Sequence, residues 1–152
     1  MDIRAKFSAA LKEALKSKDQ TAMSTIRLIL AALKDRDIAA RGQGKADGIC
    51  DAEILSMLQS MIKQRRESAK VYCDAGREEL AEREEGEIEV IQRFLPAQMS
   101  ESEVGAAIDK IIADTGASNV KDMGKVMAVL KNEYAGRLDM GKAGGLVKEK
   151  LG

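Results

Sequence analysis

Three features of the sequence predict an all-α fold, an N-terminal helical bundle followed by a small C-terminal three-helix domain. Ala, Leu, Glu, Lys, Arg and Met are abundant, and these are good helix formers. Aromatics are only 3% of the 152 residues and Trp is absent, which argues against strands. Apolar residues still reach 45%, enough for a core of Leu, Ile, Val, Met and Ala, and they recur at the three-and-four spacing of helical faces.

The first helix, about Asp2 to Ser17, carries Ile3, Phe7, Ala10, Leu11, Ala14 and Leu15 on one face. The second, about Asp19 to Ala40, has Met23, Ile26, Ile29, Leu30 and Leu33, with Asp19 as N-cap. Residues 41–48, RGQGKADG, hold three glycines and read as a mobile connector. A phosphate-binding loop would need its Gly-Lys-Ser/Thr run between a strand and a helix, and that context is missing.

A long third helix spans about Asp51 to Asp74, with Asp51 the expected N-cap and Gly76 the left-handed stop. The fourth, about Glu78 to Phe94, carries seven glutamates. Such a run reads as a solvated face, with the basic third helix as a further partner. Pro96, the only proline, interrupts helical register, and Ser100-Glu-Ser-Glu103 reads as a capping box. The domains are therefore expected at 1–97 and 98–152. Three short helices follow, about Glu101 to Asp114, Val120 to Tyr134 and Asp139 to Lys150. Gly141, Gly144 and Gly145 weaken the last of them, and leave room for a neighbouring helix or a ligand.

Net charge is zero but unevenly spread: +5 over residues 1–77, −8 over 78–114 and +3 over 117–152. The absence of His excludes Ser-His-Asp and Cys-His catalysis and zinc sites of the Cys/His kind. No cofactor motif is present. Cys50 and Cys73 match no paired-thiol pattern and read as free thiols. A charged start (Asp2, Arg4, Lys6) and the lack of a long apolar run lead to the expectation of a cytoplasmic protein with no membrane partner.

For nucleic acid, the usable groups are clustered cations: Lys63, Arg65, Arg66 and Lys70 on the third helix, and Lys121, Lys125, Lys131, Arg137, Lys142, Lys148 and Lys150 in the tail. With few aromatics to stack on bases, recognition would run through backbone and shape.

Three stretches carry a family resemblance. They are TIRLILAALKDRDIAARG (25–42), IKQRRESAKVYCDAGREELAEREEGEIEVIQRFLPAQMSESEV (62–104) and KDMGKVMAVLKNEYAGRLDMGKAGGLVKEKL (121–151). In order and spacing the chain resembles the GatB/YqeY family over nearly its whole length. The resemblance implies similarity to the tail of the GatB subunit of the tRNA-dependent amidotransferase, a carbon–nitrogen ligase using glutamine. It implies a non-catalytic accessory or tRNA-binding protein without the catalytic cradle. Expected partners are tRNA and an amidotransferase or aminoacyl-tRNA synthetase. The residues it points to are Gly124, Lys125, Lys131, Arg137 and Lys142. The run GKAGG (141–145) departs from the family by its glycine content. The alternative is a protein-interaction adaptor that docks through the acidic fourth helix or the C-terminal domain.

Overall fold

A computed structural model describes residues 2–152, which form seven α-helices and one 3-10 turn, with no strand among the described residues. The chain divides into two compact units, Met1–Leu95 and Pro96–Gly152. No helix among the described residues is long and apolar enough to cross a membrane.

The first unit holds α1 (Ile3–Ser17), α2 (Gln20–Gly42), α3 (Asp51–Asp74) and α4 (Glu78–Gln92). Asp2 and Asp19 cap α1 and α2, accepting from the Ala5 and Ala22 N–H groups at 2.8 and 3.1 Å. The fully buried Phe7, Ile29, Ile54, Met57, Leu58 and Ile91 centre the core. Phe7 meets Phe94 edge to face at 4.9 Å. Leu15, expected on the inward stripe of α1, is 48% exposed, because its neighbour Ala14 takes the inward position in the cluster with Ala22 and Met23 of α2.

In the first unit, the end of α2 and the cap of α3 differ from the sequence expectation. Helix α2 runs through Arg41 and Gly42 into the expected connector, and Gly44 and Gly48 supply the positive φ angles of the turns that follow. That connector is anchored: Ile49 is buried in the core at its end. Helix α3 is capped by Cys50 and not by Asp51. The Cys50 backbone is extended, and its N–H and thiol both donate to Glu53 Oε1, at 3.4 and 3.2 Å. Asp51 instead sits in the first turn, where the helix dipole favours its charge.

The second unit holds α5 (Glu101–Thr115), the 3-10 turn Val120–Asp122, α6 (Met123–Glu133) and α7 (Met140–Leu151). Ser100 and Glu103 form a reciprocal capping box, and Gly116 ends α5 in the left-handed region. The sixth helix expected from Val120 begins as a 3-10 turn, since the Asn119 side chain accepts from the Lys121 N–H and tightens it. Ile108, Ile111, Val126, Leu130, Ala143 and Val147 make an aliphatic core. The entering segment of chain is stitched to the turn before α7: Met99 N–H donates to Arg137 O at 2.8 Å, and the Gln98 amide donates to Gly136 O at 2.7 Å.

Candidate functional site

The burial pattern of α6 and the turn before it separates two faces. Val126 and Leu130 point into the core, while Lys121, Gly124, Lys125, Ala128 and Lys131 are exposed. At about 100° per residue, Gly124 and Ala128 run along the middle of the open face. Lys125 and Lys131 then flank them on either side. No lysine of this face is in an ion pair among the described residues. Asp122 lies at its edge, held below the usual carboxylate range by the Ser118 N–H, and also by the charge of Lys125. A β-carbon at Gly124 would meet nothing within 4 Å, so packing inside this chain does not require glycine there. The start of α6 is not a bare helix end, because the Met123 N–H already donates to Val120 O.

Arg137 and Lys142 lie elsewhere, on the rim of a cleft of about 730 Å³ between α5 and α7. Arg137 is occupied: its Nε donates to Ala97 O at 3.1 Å, and its guanidinium lies 5.9 Å from the Tyr134 ring centre. Lys142 is exposed and makes no ion pair among the described residues. Of the glycines in α7, Gly144 faces a neighbouring helix, with Met123 Cε and Met127 Cε at 3.6 and 3.8 Å from a β-carbon built there. Gly145 faces open space, so close packing accounts for one of the pair and not the other.

The four basic residues of α3 do not form one surface. Arg65 is drawn inward by Glu87 of α4, Nε to Oε2 at 3.0 Å, with the two side chains 14% and 12% exposed. It also donates to Met61 O at 3.2 Å. Lys63, Arg66 and Lys70 are exposed. Arg66 and Lys70 border a shallow cavity of about 490 Å³ with Cys73 and Glu85. The other glutamates of α4 are mostly solvated, and no group of three or more His, Cys, Asp or Glu able to hold a metal occurs among the described residues.

Sequence reasoning missed the most elaborate polar cluster. Arg4 reaches from α1 to Asp37 of α2, with Nη1 to Oδ2 at 2.7 Å and Nη2 to Oδ1 at 2.9 Å. Arg4 also donates to Ile49 O, while the Ile49 N–H donates to Asp37 Oδ1, both at 2.9 Å. The Arg4 hydrogen bonds, opposed by burial and helped by the Ile49 N–H, hold the Asp37 carboxyl well below its ordinary value, at about 2. A β-carbon on Gly48 would collide with this carboxylate. The signal in the sequence is slight: Asp37 falls at the i+4 register of Leu33 and before Ala40 on the inward face. Through Ile49, whose N–H and carbonyl are both engaged, the cluster fastens the loop before α3.

Comparison with known proteins gives a consistent answer. The family described as Yqey-like protein matches residues 4–151, and so takes in both units. Among curated proteins, the chain is 30% identical over 122 residues to "Altered inheritance of mitochondria protein 41, mitochondrial" of Lachancea thermotolerans, covering 78% of this chain and 63% of that protein. Its namesake in Eremothecium gossypii is 34% identical over 96 residues, 63% of this chain and 50% of the relative. The Saccharomyces cerevisiae protein of the same name is 31% identical over 85 residues, 56% and 44%. The chain thus spans between 44% and 63% of the length of these relatives. They correct the cytoplasmic expectation, since all three are named as mitochondrial proteins. That expectation rested on charged residues and the lack of a long apolar run, signals that bear on secretion and membrane spans and not on entry into an organelle. By a match that runs through nearly every element described above, the chain belongs to the Yqey-like protein family.

Proposed function

We propose that this chain is an accessory module that binds structured RNA, tRNA first among them, through the solvent face of α6. The observation that carries the reading is the make-up of that face: Lys121, Lys125 and Lys131, with Gly124 and Ala128 between them and a single carboxylate, Asp122, at the edge. Ammonium groups that neutralise phosphates release counterions, the chief sequence-independent source of affinity for nucleic acid. Small residues along the middle of the face let a sugar–phosphate chain approach the helix. The three lysines fall within about 15 Å of helix rise, which suits a compact backbone contact. Two Tyr and two Phe in the whole chain offer few stacking platforms, in keeping with recognition by shape. The likeness to the GatB tail makes tRNA the RNA of choice, and an amidotransferase or aminoacyl-tRNA synthetase the setting for it.

The test is a titration of the purified full chain with tRNA at low and near-physiological salt, beside a duplex control. Saturable binding that survives the higher salt and exceeds the control is the expected result. Lys125→Glu and Lys131→Glu should each weaken binding and flatten the log–log salt dependence by about 0.7–0.9 for every phosphate left without its lysine. Binding unaffected by both substitutions would refute the reading.

A further inference from the structure

The cleft of the second unit is a separate surface from the α6 face. Helices α5 and α7 both rest on α6 and touch each other only lightly, so a gap of about 730 Å³ opens between them. Met99, Val104, Leu138, Ala143 and Leu146 are the large and small apolar residues of its lining. The Lys150–Asp109 pair, 2.8 Å, ties α7 to α5 at one end. Gly105 of α5 forms part of the wall, and a β-carbon there would meet nothing within 4 Å. Glycine inside a helix costs about 0.5–1 kcal/mol relative to Ala, and nothing in this chain's own packing requires it. The space it leaves is therefore available to something else.

The charges on the rim narrow down the occupant. Arg137 is held by Ala97 O, Lys150 by Asp109, and Asp139 caps α7 through the Gly141 and Lys142 N–H groups. The charges left without such partners among the described residues are Glu101 on α5, and Lys142 and Glu149 on α7. Two free carboxylates repel a nucleic acid. Lys142 and Glu149 are seven residues apart, on one side of α7 and about 10 Å apart along its axis. A helix with apolar residues at i+3 and i+4, and opposite charges two turns apart, complements both the apolar lining and the two charges.

We propose that this cleft is a docking groove for an amphipathic helix of a partner protein, seated over about two turns, with an acidic residue against Lys142 and a basic residue against Glu149. The proposal goes beyond RNA binding and does not depend on it.

The probe is a fluorescein-labelled helical peptide of about four turns, carrying Glu at one position, Leu at the third and fourth after it and Lys at the seventh. Anisotropy titration with the full chain should give saturable binding. Gly105→Leu should reduce it about tenfold or more by filling the groove, without lowering the melting temperature of the chain, since Leu is the better helix former. Lys142→Glu should weaken binding several-fold, and a peptide with Lys in place of its Glu should restore it on that variant only. The compensation does not depend on how Gly105→Leu folds. Absent or non-saturable binding overturns the proposal, as does equal binding to the Gly105→Leu chain or no compensation. If Gly105→Leu instead weakens tRNA binding, the groove is a nucleic-acid site and the proposal fails. If Lys125→Glu alone loses tRNA while the peptide still binds, the two surfaces are separate, as proposed.

Discussion

Met1–Leu95 holds seventeen basic and seventeen acidic residues, and Pro96–Gly152 holds eight of each, so both units are neutral. Their charges nonetheless point in different directions. In the first unit Asp37 is buried beneath Arg4, and Arg65 and Glu87 are enclosed between α3 and α4. In the second unit the one ion pair among the described residues, Lys150–Asp109, lies at the surface with Asp109 64% exposed, and the core is aliphatic. The first unit uses polar groups to fix where its helices and loop meet. The second builds its interior without them and leaves its unpaired cations facing water. Net charge by segment, which reads as +3 over residues 117–152, is therefore a poor guide, because function follows which charges remain unmatched.

The largest effect should come from the buried ion pair. Asp37→Asn keeps the shape but removes the charge that Arg4 grips, and should cost about 2 kcal/mol or more in urea unfolding. The pH dependence follows from the direction of the shift. Asp37 titrates at about 2 in the folded chain against an ordinary 3.8, so on acidification the unfolded state takes up the proton first. Its contribution is fully present above about pH 4 and disappears as pH falls towards about 2. The parent chain should lose more stability over that window than Asp37→Asn does. Equal losses would mean that Asp37 is not the group responsible.

A smaller effect, of opposite sign, concerns Thr25 Oγ1 of the first unit, the one side-chain polar atom buried without a partner among the described residues. Thr25→Val keeps the branched shape and removes an unsatisfied hydroxyl, so it should raise stability by about 1 kcal/mol. A loss on thermal unfolding would show that the hydroxyl is matched in solution. The smallest effect belongs to the second unit. Lys150→Ala removes a surface pair and should cost less than about 1 kcal/mol. A cost equal to that of Asp37→Asn would erase the contrast between the units.

Much of this fold was legible in the sequence, because the signals are local. Asp19 and Ser100 cap the helices they precede, and Gly76 and Gly116 take left-handed φ angles at helix ends. What escaped depends on partners distant in sequence. Pairing between the glutamates of α4 and the basic residues of α3 is expected from the sequence, but not that Arg65, and not its neighbours Lys63 and Arg66, would be the one drawn in by Glu87, 22 residues away. Asp37 sits in the charged run Lys34-Asp-Arg-Asp37, where nothing local shows that Arg4 and Ile49 will converge on it. The candidate site divides in the same way: spacing alone places Lys125 and Lys131 on either side of one face, whereas only the folded chain puts Arg137 and Lys142 on another.

Helix α3 also provides a ruler. Cys50 at its N-cap and Cys73 in its last turn are both exposed, and they are the only thiols in the chain. Twenty-three residues of α-helix separate them by about 34 Å, within the range of paired spin labels or a donor–acceptor dye pair. Labelled without any substitution, the two sites would report a single narrow distance while α3 stays whole. That distance would broaden as soon as the helix frays, giving an optical or magnetic readout of one helix in an otherwise unlabelled protein.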